Sequence, residues 1–482
     1  MYHSTRGKDL IKASQAILAG LASDNGLYVV DNIPTLTLSQ SDATLSYQEI
    51  AKRVFKLYLD DFTEEEIDEI VSLYNEEAFP YGFSEIKGTT DYAFLYLTKG
   101  PTFAFKDMAL QVLPKMIEIA KRKNNDSRKT VVLTATSGDT GSAALAGFSR
   151  NKANNILVLY PNNGCSEVQE SQILSFSNNN AKALAIDGNF DDCQRIVKDI
   201  FAHEKFANID LISANSINIG RLIPQIVYYY AAYLKLVDDD LILFGERINV
   251  SVPTGNFGNI LAAIIASKMG LPVNKICLCA NENNVLTDFI NTGVYDANRQ
   301  FKTTNSPSMD ILISSNLERF LYLMYEDTNK IKEIELSLEK NRKFSIPLED
   351  LKKKFPNLIS GYATEEETVK TISDLYKHNK ILIDPHTAVA AKVSYDHKEL
   401  SDNCYTLIVA TASPYKFSKT ICQALDIDVK DEKTNIEAIY RKTGAKIDNR
   451  LYQYLLNSHK KTVVSLDKAY DTVKDILGKI ND

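Results

Sequence analysis

An excess of basic charge is lacking in this chain, whose 55 lysines and arginines are outnumbered by 62 aspartates and glutamates. Its 482 residues carry a net charge of −7 and no broad basic field, so a nucleic-acid partner has no electrostatic footprint. Cysteine is sparse as well, with six residues scattered outside any framework. Cys277 and Cys279 alternate in the apolar run KICLCA, as one face of a buried strand would. No histidine or cysteine partners stand at ligand spacing, so no metal site is expected, and a reducing compartment fits. No apolar run reaches the length of a membrane span, and the start of the chain lacks the long apolar block of a secretory signal. A cytoplasmic protein without a membrane partner is the expectation. Two catalytic signatures are missing: HExxH, which disfavours a zinc hydrolase, and the GxSxG elbow, which argues against a serine hydrolase.

Hydrophobic residues make up 44% of the chain, enough for two or three domains at this length. Residues 1 to about 98 read as mixed α/β. Ser46 with Glu49, ahead of an apolar run to Leu59, forms a helix-start signature, and the pattern repeats after Thr63. DYAFLYLTKGPT reads as strand and turn, and a helix is expected from Phe105 towards Lys123 with a bend at Pro114. From about residue 129, dense apolar strands alternate with helices, which predicts a parallel sheet covered on both faces. Ligands bind at the carboxyl ends of such strands, and the unusual loops fall there. The tract 325–362, rich in lysine and glutamate, predicts a solvated helical insertion.

Four loops and one lysine carry the chemical signal. TSGDTG, Thr136 to Gly141, presents small residues and Ser137, Gly138, Asp139 and Thr140 at a helix start, where an anion is favoured. It matches neither nucleotide fingerprint, GxGxxG or GxxxxGK[ST], and a plain capped helix is the alternative. PTGNFGN, with Gly255, Asn256, Phe257, Gly258 and Asn259, looks like a phosphate cradle, although turn chemistry alone would also use it. Thr411 in TASPYKF offers a neutral hydroxyl. ANSINIGRLIPQ places Asn215, Ser216, Asn218 and Arg221 together, either as caps or with Arg221 as an anion clamp. His386 in DPHTAV reads as a cap or packing residue before a base. Lys106, in GPTFAFKDMALQ, is on local grounds a solvated charge at a helix start. Set among anion loops and without a metal site, it also fits a lysine that forms a Schiff base with pyridoxal phosphate.

The chain resembles the threonine synthase family, in its longer bacterial and fungal branch. The matching runs stand in order from YHSTRG at Tyr2 through GLASDNGLYV, GPTFAFKDMALQ, TATSGDTGSAA, NSINIGRLIPQIVYY, PTGNFGN, NVLTDFINTGVY and SPSMDILISSNLERF to PHTAV at Pro385. The resemblance implies fold type II, like the tryptophan synthase β chain. It has two open parallel-sheet α/β domains with pyridoxal 5′-phosphate between them and an N-terminal α/β domain. The segments so implied are 1–100, a smaller mobile domain over 101–240, and a larger cofactor-binding domain over 241–482. The implied reaction converts O-phospho-L-homoserine and water to L-threonine and phosphate. Lys106 matches the Schiff-base lysine and proton carrier at Cα and Cβ. Gly255 to Asn259 match the cofactor phosphate loop, and Thr411 the partner of the pyridine nitrogen. Ser137, Gly138, Asp139 and Thr140 match the substrate loop, and Asn215, Ser216, Asn218 and Arg221 a polar loop facing the substrate. Lys99, Arg221 and Lys416 are candidates to hold the substrate phosphate. Homologues include monomers and homodimers.

Three positions depart from the family pattern. Lys99 and Ser413 stand where histidines are usual, and Cys165 where a small residue is usual. Altered tuning is expected from the first two. They also leave room for a related fold type II enzyme, a serine or threonine dehydratase or a phospho-amino-acid lyase. A cofactor-free amino-acid-binding homologue is the reading from a different class.

Overall fold

The computed structural model describes residues 1–80, 82–88, 92–400, 404–456 and 460–481. The alternation of apolar strands and helices after residue 129 yields two sheets. The smaller has five parallel strands, in spatial order Val463–Ser465, Ala181–Asp187, Asn154–Pro161, Lys129–Ala135 and Ile209–Ile212. The larger has six, in order Leu358–Tyr362, Val273–Ala280, Ile248–Pro253, Thr406–Ala410, Tyr92–Tyr96 and Glu85–Gly88. Its last pair is antiparallel and the rest are parallel. Only residues 89–91 separate that pair, too few for the crossover that a parallel connection needs.

The sheets cut across the expected segments. Glu85–Gly88 and Tyr92–Tyr96, within 1–100, extend the larger sheet. Val463–Ser465, within 241–482, returns to the edge of the smaller one, and Ala469, Val473 and Leu477 on the helix Leu466–Asn481 pack with Val131, Leu133 and Ile186 beneath it. The charged tract 325–362 is helical over Thr328–Asn341 and Leu348–Lys354, but it ends in Leu358–Tyr362, the edge strand of the larger sheet. The alternation of charge with isoleucine and leucine marks the helices. It hides the strand, whose edge position tolerates polar neighbours. Cys277 and Cys279 are fully buried on one face of Val273–Ala280, as the alternation predicts.

The predicted helix from Phe105 to Lys123 is broken. It forms as Asp107–Leu110 and Leu113–Lys123, with Pro114 in the first turn of the second piece. Proline lacks an N–H and its ring excludes the carbonyl four residues back, that of Leu110. Gly147 passes this carbonyl so closely that a Cβ there would lie 2.0 Å from Leu110 O.

The helix Ile219–Asp238 is buried along most of its length and carries the buried tyrosines Tyr228, Tyr229, Tyr230 and Tyr233. It packs against the helices Tyr47–Tyr58 and Gly258–Lys268 and so ties the N-terminal segment to the rest. Ser46 caps Tyr47–Tyr58 with Glu49 closing the reciprocal bond, as its sequence predicts. A second tie is ionic. Glu318 accepts from Arg6 at 2.9 and 2.8 Å and from the Thr5 hydroxyl. The adjacent Arg319, fully buried, donates to Tyr28 O at 2.8 Å, to Asn316 Oδ1 and to Ile217 O.

Among the described residues no helix is long and apolar enough to cross a membrane, and no acidic, histidine and cysteine cluster could hold a metal ion. Because Leu477 anchors the returning helix from a fully buried position, Leu477→Ala is expected to lower stability by about 3 kcal/mol, read as a shift in the urea unfolding midpoint.

Candidate active site

Lys106 is placed by backbone pairing between two distant loops. Phe105 N–H donates to Thr411 O at 2.9 Å, and Ser413 N–H donates to Phe103 O at 2.9 Å. The strand Tyr92–Tyr96 lies beside Thr406–Ala410 in the larger sheet, so the loops that leave their carboxyl ends meet there. Phe103 turns the chain at φ +58°, and its ring packs at a tilt against Tyr454 and under the Arg450 guanidinium. The Lys106 side chain, at the start of the short helix, turns inward and is 14% exposed. It stands 3.4 Å from Ser308 Oγ and 3.8 Å from Asp139 Oδ2. Burial holds its pKa down to about 8; Asp139 opposes this, and Lys416 and Arg221 reinforce it.

Asp139 opens the helix Asp139–Arg150. Gly138 before it sits at φ +144°, and a Cβ would meet the Gln169 carboxamide at 2.5 Å, so only glycine fits. The cap is not Ser137, Thr140 or Ser142. Thr136 Oγ1 accepts from Gly138 N at 3.0 Å and Gly141 N at 2.8 Å. Asp139 Oδ1 accepts from Lys416 Nζ at 2.7 Å and Gln169 Nε2 at 2.8 Å. Burial alone would push this carboxyl up, but Lys416 and then Lys106 hold it well below the usual carboxylate range. Lys416 is fully buried and donates its other bond to Thr102 O at 2.7 Å. Asp107, fully buried, accepts from Thr102 N and Oγ1, both at 2.8 Å, and burial raises its pKa to about 6.

The Gly255–Asn259 loop turns from the strand Ile248–Pro253 into the helix Gly258–Lys268. Phe257 occupies the left-handed region at φ +62°. Asn259 Oδ1 accepts from the Tyr228 and Tyr229 hydroxyls, while its Nδ2 is buried without a partner. The opposite loop joins this one through Ser216, Ser315 and Asn256. The two hydroxyls lie 3.0 Å apart, and Ser315 Oγ donates to Asn256 Oδ1 at 3.2 Å. Asn316 Nδ2 bridges Asn256 O at 3.1 Å and Ser216 O at 3.2 Å.

Arg221 is buried and donates to Ala214 O at 2.7 Å, with Nε unpartnered and, among the described residues, no carboxylate in ion-pairing reach. Burial pulls its pKa down to about 10. Of the three candidate cations for a phosphate it alone has no acidic partner among the described residues. Lys99 pairs with Glu85 at 2.5 Å and Lys416 with Asp139. Asn215 accepts from the Thr134 hydroxyl at 2.7 Å. Asn218 caps its helix, and both Nδ2 hydrogens are engaged by Ile17 O and Ser213 O, so it builds the loop. Ser413 precedes the turn that carries Lys416. Burial raises the Cys165 thiol to about 12, which removes it as a nucleophile.

Sequence reasoning missed Gln169, Ser308, Asp384 and the structural use of Lys416. Asp384 had a usable signal, since Asp-Pro-His-Thr is a helix start. Ser308 had none beyond its place in a matching run. Lys416→Met would leave Asp139 buried with its main partner gone. The expected cost is about 3–5 kcal/mol, read as a lowered thermal midpoint.

Comparisons with known proteins agree with this architecture. A family profile described as "Threonine synthase N terminus" matches residues 1–73. Threonine synthase-like 1 of Homo sapiens is 38% identical over 443 residues, which cover 88% of this chain and 59% of that protein. The chain thus spans 59% of the length of that relative. Threonine synthase of Eremothecium gossypii is 35% identical over 461 residues, 88% of this chain and 89% of that one. The structure of PLP-bound threonine synthase from Brucella melitensis matches with a TM-score of 0.88 at 31% identity, covering 98% of both chains. That of the yeast enzyme matches with 0.88 at 29%, covering 99% of both. The fold is the type II arrangement that the resemblance implies, two largely parallel α/β sheets with an N-terminal segment packed against them. With that segment matched by the profile, and most of the chain by a relative of comparable length, the chain belongs to the threonine synthase family.

Proposed function

We propose that this chain is a threonine synthase that converts O-phospho-L-homoserine and water to L-threonine and phosphate with pyridoxal 5′-phosphate as cofactor. The observation that carries this reading is the largely enclosed Lys106 amine, its pKa brought down to about 8, beside the Asp139 helix start and, through Ser308, the Gly255 loop. The residues present fit the cofactor. Gly255, Phe257 and Gly258 curve the backbone at a helix N-terminus, and the unpartnered Asn259 Nδ2 supplies a buried donor there. These residues would hold its phosphate, Thr411 its ring nitrogen, and Lys106 its aldehyde carbon. When bound, the cofactor supplies a sink for negative charge that develops next to the substrate's α-carbon.

The protein's own groups then do the following. Arg221, buried without a carboxylate, takes the phosphate of the substrate, aided by Asn215 and Ser216. Ser137, Gly138 and Thr140 line the carboxylate side. The Lys106 amine takes the proton from Cα, gives it up for storage on the bound cofactor, and so freed takes a second proton from Cβ; the phosphate leaves Cγ with its bonding electrons, and water adds its hydroxide at Cβ while its proton goes to the departing phosphate. The same amine returns protons to Cγ and Cα. An amine that ionises near neutral pH can act in both directions, which is what repeated proton transfer requires. Asp139 and Lys416 do not move protons in this reading; their ion pair fixes the loop against Lys106. Closure of the smaller sheet's side, residues 101–240 with the returning strand and helix 463–481, over the larger sheet would exclude bulk water until hydration.

The test is release of phosphate and threonine from O-phospho-L-homoserine by purified protein with added pyridoxal phosphate. Equal amounts of both products are expected, together with an absorbance band at 410–420 nm; Lys106→Ala should lose products and band. A band without threonine would overturn the synthase reading in favour of a dehydratase or phospho-lyase. Arg221→Ala is expected to reduce kcat/KM on phosphohomoserine by roughly a hundredfold or more, because it removes a desolvated charge partner of the phosphate.

A further inference from the structure

Ser308 takes no part in the chemistry above, yet its loop is held from three sides. Asp310 accepts from Thr304 N at 2.9 Å, Thr304 Oγ1 at 2.7 Å, Asn281 Nδ2 at 2.8 Å and Asn283 Nδ2 at 3.1 Å. Gly255 packs so closely that a Cβ would lie 2.6 Å from Ser308 O. Ser308 N–H donates to His386 Nε2 at 3.2 Å. That bond sets the tautomer. Nε2 is the acceptor, so Nδ1 carries the hydrogen and donates to Asp384 Oδ1 at 2.8 Å. Asp384 is fully buried and also accepts from His386 N at 2.9 Å and from the Thr387 hydroxyl. With both ring nitrogens engaged, His386 is not placed to act as a base. What it holds is the Ser308 hydroxyl, 3.4 Å from Lys106 Nζ and 3.4 Å from Asp139 Oδ2.

We propose that Ser308 is a further catalytic residue, whose hydroxyl accepts from the Lys106 amine and donates to Asp139 and so keeps the amine off the carboxylate, and that Asp384 and His386 are positioning residues that hold it there. The proposal rests on Lys106 being the working amine of the site. The hydroxyl keeps its own proton throughout; its part is spacing and direction. Without it the flexible lysine can close from 3.8 Å to hydrogen-bonding distance of Asp139, and a charge-assisted bond favours the protonated amine more than a neutral hydroxyl does. The charged groups that bear on the amine are Asp139, Lys416, Arg221 and Asp107, and the one facing His386 is Asp384.

The test is reductive methylation of the full-length protein across pH 6.5 to 10, with modification of Lys106 read by mass spectrometry. Wild-type Lys106 is expected to react with a midpoint near pH 8. In Ser308→Ala the midpoint should rise, cutting labelling at pH 7 by about tenfold for a one-unit shift. Ser308→Thr should restore it. His386→Ala should move the midpoint in the same direction, and His386→Gln, whose carbonyl can accept from Ser308 N–H, should rescue it. If His386→Ala fails to fold, the other three variants decide. An unmoved or lowered midpoint in Ser308→Ala, or a Ser308→Thr that behaves like alanine, overturns the proposal. Added pyridoxal phosphate gives a separate arm. Lys106 left unprotected by it would sink the functional reading while the Ser308 shift still stood.

Discussion

The arrangement around Lys106 depends on one buried ion pair, Lys416 with Asp139. Both are removed from water, and such pairs persist only where geometry is good and the remaining valences are filled. Here the 2.7 Å contact is supported by Gln169 on the carboxylate and Thr102 O on the ammonium. The pair joins a loop of the smaller sheet to a turn after the larger sheet, so it locates both walls of the cleft at once. Because Lys416 already balances Asp139, the carboxylate does not fully claim the second amine beside it. Burial therefore remains the main influence on Lys106, and its pKa stays near 8 instead of climbing.

What could be read in the sequence was local. The loops 136–141 and 255–259 each sit between an apolar strand and an apolar helix, so their small residues stood out, and Lys106 stood out by its apolar company. The break after Leu110 was half legible, because Pro114 announces it but not where the chain yields. The pairing of Lys416 with Asp139 is not legible, because the two are distant in sequence and no spacing rule links them. Asn218 reads equally as a cap or as a ligand group, because capping and ligand binding use the same residue types, and the structure shows the cap. The strand Leu358–Tyr362 was hidden behind a charged helical tract, since periodicity describes a window and not its end. The edge strand Val463–Ser465 is too short to announce itself.

The N-terminal segment does more than cover a core. Arg6 and Thr5 hold Glu318, and the next residue, Arg319, reaches Ile217 O and Asn316. Asn316 in turn bonds the backbone of both Ser216 and Asn256. Arg6 is thus tied to two loops of the site through polar contacts on either side of the Glu318–Arg319 peptide link. The Glu335 carboxyl beside Arg6 is pushed up to about 7 by burial, with Glu318 adding to the effect and Arg6 opposing it.

The placement of Val463–Ser465 has a consequence for how the protein is made. Its neighbour in the sheet, Ala181–Asp187, is synthesised roughly 280 residues earlier, and at about 5–20 residues per second that leaves the partner strand without its neighbour for some tens of seconds. Through that interval the smaller sheet has an open edge and an uncovered apolar patch at Val131, Leu133 and Ile186. Such an edge is a template for pairing with other chains. Newly made protein on the ribosome is therefore most exposed to misassociation, and most in need of a holding chaperone, after the smaller sheet has formed and before its last strand arrives.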